Sequence, residues 1–274
     1  LLVAAHAVGW PSPRGGAGAL TRALAEHLRS LGGTVETDAP VSSLDDLPAA
    51  RATLLDLTPR QVVGVAGSRL PDRYRRRLEA YTYGPGAFKV DWALDGPIPW
   101  TADACRRAGT VHVCGAFEEV VSSEASVADG WAPRHPFVIL AQPTVHDPTR
   151  APPGKHVAWA YCHVPNGSAA DMTERIEAQV ERFAPGFGAR ILARATHAPA
   201  GLEAWNANLV GGDVNAGLLS LRQTLARPVL STRPWATPVR DLYLCSAATP
   251  PYGGVHGMCG YHAARTALKR TFGK

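Results

Sequence analysis

No apolar run in the 274 residues approaches the ~20 that a membrane-spanning helix needs. The apolar opening also lacks the basic start of a signal peptide, so the chain reads as soluble and cytoplasmic. The initiator methionine is missing, and an opening at Leu1 inside an apolar segment reads as the middle of a longer chain. Five cysteines, an odd number without a close-spaced pair, make no disulfide framework and point to a reducing compartment. Neither G-x-S-x-G nor H-E-x-x-H occurs, which removes the common hydrolase and zinc-protease signatures. There is no internal repeat and no low-complexity tract. Charge is sparse, with 28 basic against 23 acidic residues leaving a formal +5, too mild to imply a nucleic-acid partner. The one basic cluster, Arg73, Arg75, Arg76 and Arg77, flanks Tyr74, Leu78 and Tyr81 at i, i+4, i+7 and reads as the solvated side of an amphipathic helix.

What is present is an ordinary globular composition, 46% hydrophobic and 19% charged, long enough for one substantial core or two modest ones. Trp10 to Arg14 is broken by proline and forms a loop. Gly15, Gly16 and Gly18 lead into a helix with leucines at 20, 24, 28 and 31, which Gly32 and Gly33 stop. Strands are expected at Thr34–Thr37 and Val41–Leu44. This stretch imitates a dinucleotide fingerprint, with G-A-G opening a helix and Glu36 about 20 residues on. It fails as one, because Thr21 stands where the third glycine belongs and Pro11 and Pro13 occupy the feeding strand.

The apolar run Ala52–Thr58 predicts a strand in the same sheet as a later one at 242–245. A basic helix over about 72–82 precedes four strand-like runs, 87–94, 110–117, 136–143 and 156–164, each bounded by Gly or Pro. Successive strands with few crossover helices favour an antiparallel or mixed sheet. Asp171 with Glu174 resembles a capping box, and Met172, Ile176, Val180 and Phe183 line the helix it starts. A strand at Ile191–Thr196 and an irregular return segment, 199–229, with a short helix near 216–226, complete the order. The expected division is a first domain of residues 1–66 with 230–274, and a second of 67–229.

Residues 242–270 carry the densest signal. Leu242–Cys245 reads as a buried strand, Pro250–Gly254 as a forced turn, and Val255–Lys269 as a helix. Gly254, Gly257 and Gly260 recur every third residue, leaving a stripe without Cβ atoms where another backbone or a flat ligand can approach. Glycine costs about 1 kcal/mol against alanine inside a helix, so three together suggest that approach distance outweighed propensity. The unpaired N–H groups and dipole of a helix start favour negative charge in front of it. A tight helix–sheet packing contact would explain the same spacing without a ligand.

Pro251, Tyr252, Gly253, Gly254, Val255, Gly257, Gly260, Ala263 and Ala264 resemble the C-terminal flavin-binding signature of phytoene-desaturase-like and amine-oxidase-like FAD-dependent oxidoreductases, P-G-G-G-V-x-G-x-x-G-x-x-A-A. Tyr252 replaces the first motif glycine. Residues 9–24, 83–100 and 211–230 fit the same family in the same order. The resemblance implies an α/β fold, an incomplete Rossmann-like FAD-binding domain without its N-terminal G-x-G-x-x-G unit, and an α+β substrate domain roofing the flavin. It implies FAD contacts from Gly15, Gly16, Val41, Ser246, Gly253, Gly254, Val255, His256, Gly257 and Met258, and hydride transfer from an apolar substrate to flavin. It also implies a chain that is inactive alone, does not retain FAD alone, and pairs with a partner carrying the N-terminal half or self-associates. The alternatives are a non-catalytic binding module and an interaction subunit.

Other chemistry reads more blandly. His112, Cys114, Cys162 and His163 suggest a metal, yet alternation along strands prevents Cys162 and His163 from sharing a face. A Cys–His nucleophile lacks any mark of an activated thiolate. Asp213 is either a polar site residue or an Asx-turn, and His256 either faces a ligand or caps the helix. Trp92, Trp100, Trp159 and Tyr161 read as sheet core.

Overall fold

A computed structural model describes residues 7, 9 and 11–274; the apolar start at Leu1 and Trp10 of the expected loop lie outside them. The leucine-spaced helix is α1 (Ala17–Ser30), closed where the Gly32 and Gly33 N–H groups bond back to Arg29 and Leu28 carbonyls. Its leucines are not covered: Leu20, Leu24, Leu28 and Leu31 are 45%, 64%, 46% and 73% exposed, and α1 buries no residue. Neither strand expected next is formed. Residues 34–37 are irregular, and Val41 leads into a 3-10 turn, Leu44–Asp46, capped by Ser43. A strand exists through its ladder, and the sheet on this side has two members among the described residues.

Those two are β1 (Thr53–Leu55) and the last strand of the chain. After β1 come α2 (Pro59–Ala66), with proline at the helix start where no N–H is needed, and α3 (Asp72–Glu79). The central stretch holds β2 (Gly86–Leu94), α4 (Asp103–Arg107), β3 (Thr110–Val113), α5 (Phe117–Ala128), β4 (Val138–Ala141) and β5 (His156–Val164). Then follow α6 (Thr173–Glu181), β6 (Ile191–His197), α7 (Pro199–Trp205), α8 (Leu221–Leu225), β7 (Leu242–Leu244) and α9 (Met258–Thr271). β1 and β7 share a sheet, as the two apolar runs predict, and pair in parallel with Leu54 opposite Tyr243. The other five strands form an antiparallel sheet in the order β3-β4-β5-β2-β6. The fold is therefore mixed α/β, with an antiparallel sheet beside a small parallel one.

Several expected boundaries move. The run 110–117 ends as a strand at Val113, and Phe117 opens α5, whose first turn holds Glu118 and Glu119 where the helix dipole favours acid. The helix expected from Asp171 starts at Thr173. Asp171 stays outside it, accepting from the Thr173 N–H at 2.8 Å, so no capping box forms. The return segment holds α7 in a part read as irregular, and the helix expected over 216–226 shrinks to five residues, its start fixed by Ser220 Oγ accepting from the Gln223 N–H.

Two apolar cores result. The larger joins one face of the five-stranded sheet (Phe88, Val90, Trp92, Leu140) to α6 (Ile176, Val180). Its indoles are satisfied, Trp92 Nε1 donating to Glu177 at 2.9 Å and Trp100 Nε1 to Gln142 at 3.1 Å. The smaller gathers Leu55, Val62, Leu70, Leu242 and Leu244 with Tyr74 and Leu78 of α3. Tyr81 is buried as well, while Arg73, Arg76 and Arg77 face solvent and Arg75 pairs with Asp72 and Glu79. The basic cluster is the solvated side of an amphipathic helix.

Candidate functional site

The glycine-rich segment leaves the parallel pair at Cys245. Ser246, buried, donates its hydroxyl to the Leu57 carbonyl at 2.8 Å, tying the exit of β7 to that of β1. The chain turns through Pro250–Pro251 and runs without regular structure to Gly257, so the expected helix from Val255 begins three residues later, at Met258. The reason is backbone: Gly254 and Gly257 take φ of 144° and 66°, outside the right-handed helix. His256 caps rather than reaches outward, its Nδ1 accepting from the Met258 N–H at 3.0 Å.

The glycine spacing is not a packing contact. A Cβ built on Gly257 or Gly260 would meet no atom of the described chain within 4 Å, and one on Gly254 would meet only the His256 ring. Val255 is 94% exposed beside them. An open surface without side chains at Gly257 and Gly260, at the positive end of a 14-residue helix, fits the approach of a flat or anionic group.

Behind this loop lies a buried polar cluster that the sequence only half reveals. Asp213 is fully buried, Oδ1 accepting from the Asn215 N–H and Oδ2 from the Gly84 and Gly217 N–H groups, each at 2.7 Å. It is an Asx-turn and a long-range clamp at once. Arg227, 1% exposed, donates to the carbonyls of Asn215 (2.8 Å), Ala216 (2.9 Å) and Ala247 (3.2 Å), and its guanidinium lies over the rings of Tyr81 and Tyr252. Tyr252, at φ 83°, donates its hydroxyl to the Thr224 carbonyl at 2.7 Å. The residue that departs from the family pattern therefore fastens the glycine loop to the return segment. Nothing in the sequence marked Arg227; a lone arginine before proline carries no signal.

Gly15 and Gly16 meet other partners. The Gly15 N–H donates to Asp147 Oδ2 at 2.7 Å, and the Arg150 guanidinium occupies the space a Cβ on Gly16 would need. The Asp147 carboxyl is held below its usual range by Thr149 and then by that Gly15 N–H. Val41 is 39% exposed, outside any strand.

The second face of the five-stranded sheet was also missed. Trp92 and Trp100 are core, but Trp159 and Tyr161 alternate to the opposite face, half-buried and stacked at 6.4 Å and 21°, with the His163 ring 5.9 Å beyond. Lys89 lies over Trp159 and pairs with Asp91, which also has His197 at 3.7 Å; His163 faces Glu124 at 2.8 Å. The charges on this face are thus paired locally around an aromatic strip. No group of three or more metal-ligating side chains gathers among the described residues. Burial pushes the Cys162 and Cys245 thiols up to about 12 and raises Cys114 and Cys259, the opposite of an activated nucleophile. No described helix is long and apolar enough to cross a membrane.

No family model matches the chain. Over 95% of its length it is 26% identical to the mouse pyridine nucleotide-disulfide oxidoreductase domain-containing protein 2, and it covers 51% of that protein. An oxidoreductase from Methanosarcina mazei superposes with a TM-score of 0.59 at 17% identity, over 93% of this chain and 54% of that one. A triple mutant of putrescine oxidase, from a redesign of cofactor binding, gives 0.50 at 14% identity, over 81% and 43%. The chain thus spans about half the length of the curated relatives it matches, and its fold resembles that of the Methanosarcina mazei oxidoreductase and of putrescine oxidase.

Proposed function

We propose that this chain forms part of an FAD-dependent oxidoreductase of the desaturase or dehydrogenase type, in which residues 253–258 lie against the flavin and the five-stranded sheet roofs an apolar substrate. The observation that carries it is the uncovered glycine surface at the start of α9, which no part of the described chain fills. Flavin, when bound, supplies the acceptor for a hydride taken from a C–H or N–H bond. The chain's own part is positional. Gly257 and Gly260 allow close approach, the first turn of α9 favours negative charge, and His256 holds the Met258 N–H. Trp159 and Tyr161 offer an apolar wall, and because Lys89 and Asp91 neutralise each other the face suits a hydrophobic substrate. We assign no side chain as acid or base. A cytoplasmic setting suits the five free cysteines.

In this reading residues 1–66 and 230–274 belong to the cofactor domain, with α3 lending its stripe to that core, and 67–229 to the substrate domain. The exposed leucines of α1 favour a partner segment or chain that supplies the N-terminal dinucleotide-binding half. Substituting Gly257→Leu in the full-length protein should abolish flavin absorbance while circular dichroism stays unchanged. Normal absorbance in the folded variant would overturn the placement. The present chain alone should show no stoichiometric submicromolar FAD binding when flavin fluorescence is followed.

A further inference from the structure

At the other end of the antiparallel sheet, where β2 and β4 finish and β5 begins, lies a cavity of about 440 Å³. About 27 Å of β2, at 3.4 Å per residue, separate it from Gly86, where an added Cβ would stand 2.5 Å from the Gly211 carbonyl. Its apolar lining includes Leu94 and Ile98, both buried, and its polar lining Arg106, Arg190, His156 and Thr144. No carboxylate lines it.

Backbone carbonyls orient both arginines. Arg106 Nε donates to the Trp100 carbonyl at 2.8 Å, and its nearest acid is the exposed Asp103, 3.5 Å from Nη1. Arg190 Nη1 donates to the Asp95 carbonyl at 3.1 Å, and the Asp95 N–H returns a bond to the Arg190 carbonyl at 2.7 Å. Gly96 has no side chain where that guanidinium lies; a Cβ there would stand 3.1 Å from Nη1. The Asp95 carboxylate itself is taken by Lys155. His156 Nδ1 is 3.1 Å from Thr144 Oγ1, which leaves Nε2 uncommitted. Two guanidinium groups oriented by backbone carbonyls, with no carboxylate in the lining and only the exposed Asp103 paired to Arg106 from outside it, make over an apolar floor a receptor for a planar anion with a hydrocarbon body.

We propose that this cavity binds a small carboxylate carrying a short apolar chain, its head met by Arg106 and Arg190 and its body resting on Leu94 and Ile98. The site is independent of the flavin reading, since none of its lining belongs to the glycine loop. The test is titration of the isotopically labelled chain with hexanoate, with hexylammonium, acetate and inorganic phosphate as comparisons, following the His156 ring and Trp100 indole resonances. Hexanoate should shift both saturably, acetate and phosphate should bind at least tenfold more weakly, and hexylammonium should leave them unmoved. Arg106→Gln with Arg190→Gln should weaken hexanoate at least tenfold. If the double variant does not fold, Arg106→Gln alone carries the comparison, since that side chain is exposed. Equal binding of hexylammonium, acetate or phosphate, indifference to the arginine substitutions, or no saturable shift would each overturn the proposal.

Discussion

The two cores of this chain are finished to different degrees. The antiparallel sheet with α6 closes on itself: Val90, Leu140, Ile176 and Val180 have no measurable exposure, and the indole N–H groups inside it are bonded. The parallel side has two strands of three residues each and an amphipathic helix whose leucines meet solvent. Parallel sheets ordinarily lie buried on both faces beneath crossover helices. The same chain thus contains one closed core and one whose amphipathic helix stays exposed among the described residues.

The sharpest way to test this difference is to delete equivalent aliphatic groups on each side. Ile176→Ala removes a fully buried side chain and should cost about 4 kcal/mol, read as a lowered denaturant midpoint. Leu24→Ala, at a position 64% exposed, should change the midpoint of the isolated chain by less than about 0.5 kcal/mol. A large loss at Leu24 would mean that α1 is already covered in solution, for instance by a second copy.

The next effect concerns the seam. Asp213 holds the entry of β2 through Gly84 and the return segment through Gly217, so Asp213→Ala strands three N–H groups and should cost about 3 kcal/mol. An unchanged melting temperature would show the two regions to be independent of this clamp.

The smallest effect is one of pH. Glu203 of α7 is held below its usual range, first by the Gly211 N–H and then by Arg60 of α2. A depressed folded value means a contribution present above the unfolded pKa, near 4.3, and lost as the pH falls through the lower folded one. With the carboxylate partly open to water it is worth at most about 1 kcal/mol. Glu203→Gln should therefore lower stability by at most that amount at neutral pH, leave it nearly unchanged below the folded pKa, and so flatten the acid limb of the stability curve; a loss of equal size at acid and neutral pH would contradict the assignment.

Legibility follows the same divide. β5 spans 156–164 as its bounded run predicts, and the pairing of β1 with β7 follows from two short apolar segments. Where a local pattern needed a distant partner, it misled: 34–37 and Val41–Leu44 have strand-like composition but no ladder to join. The size of Trp159 and Tyr161 suggests core, whereas the alternation along β5 assigns them to the opposite face from Ala158 and Ala160. Asp213 was visible as a turn former, but its bond to Gly84 spans 129 positions and leaves no local trace. Arg227 is buried by carbonyls gathered from two separate segments, Asn215–Ala216 and Ala247, a charge whose solvation is assembled only when the chain folds.

The register of β2 carries a consequence for how such a protein can change. β2 is flanked on both sides, Asp91 opposite Trp159 in β5 and Ala195 in β6, while its neighbour Trp92 points into the core. Substitutions at Lys89, Asp91, Trp159 and Tyr161 can therefore drift without disturbing the hydrophobic side. A single inserted residue in β2 would do the reverse, exchanging the two sets of side chains at once. Divergence on this face should accumulate by replacement, with the strand's length held fixed.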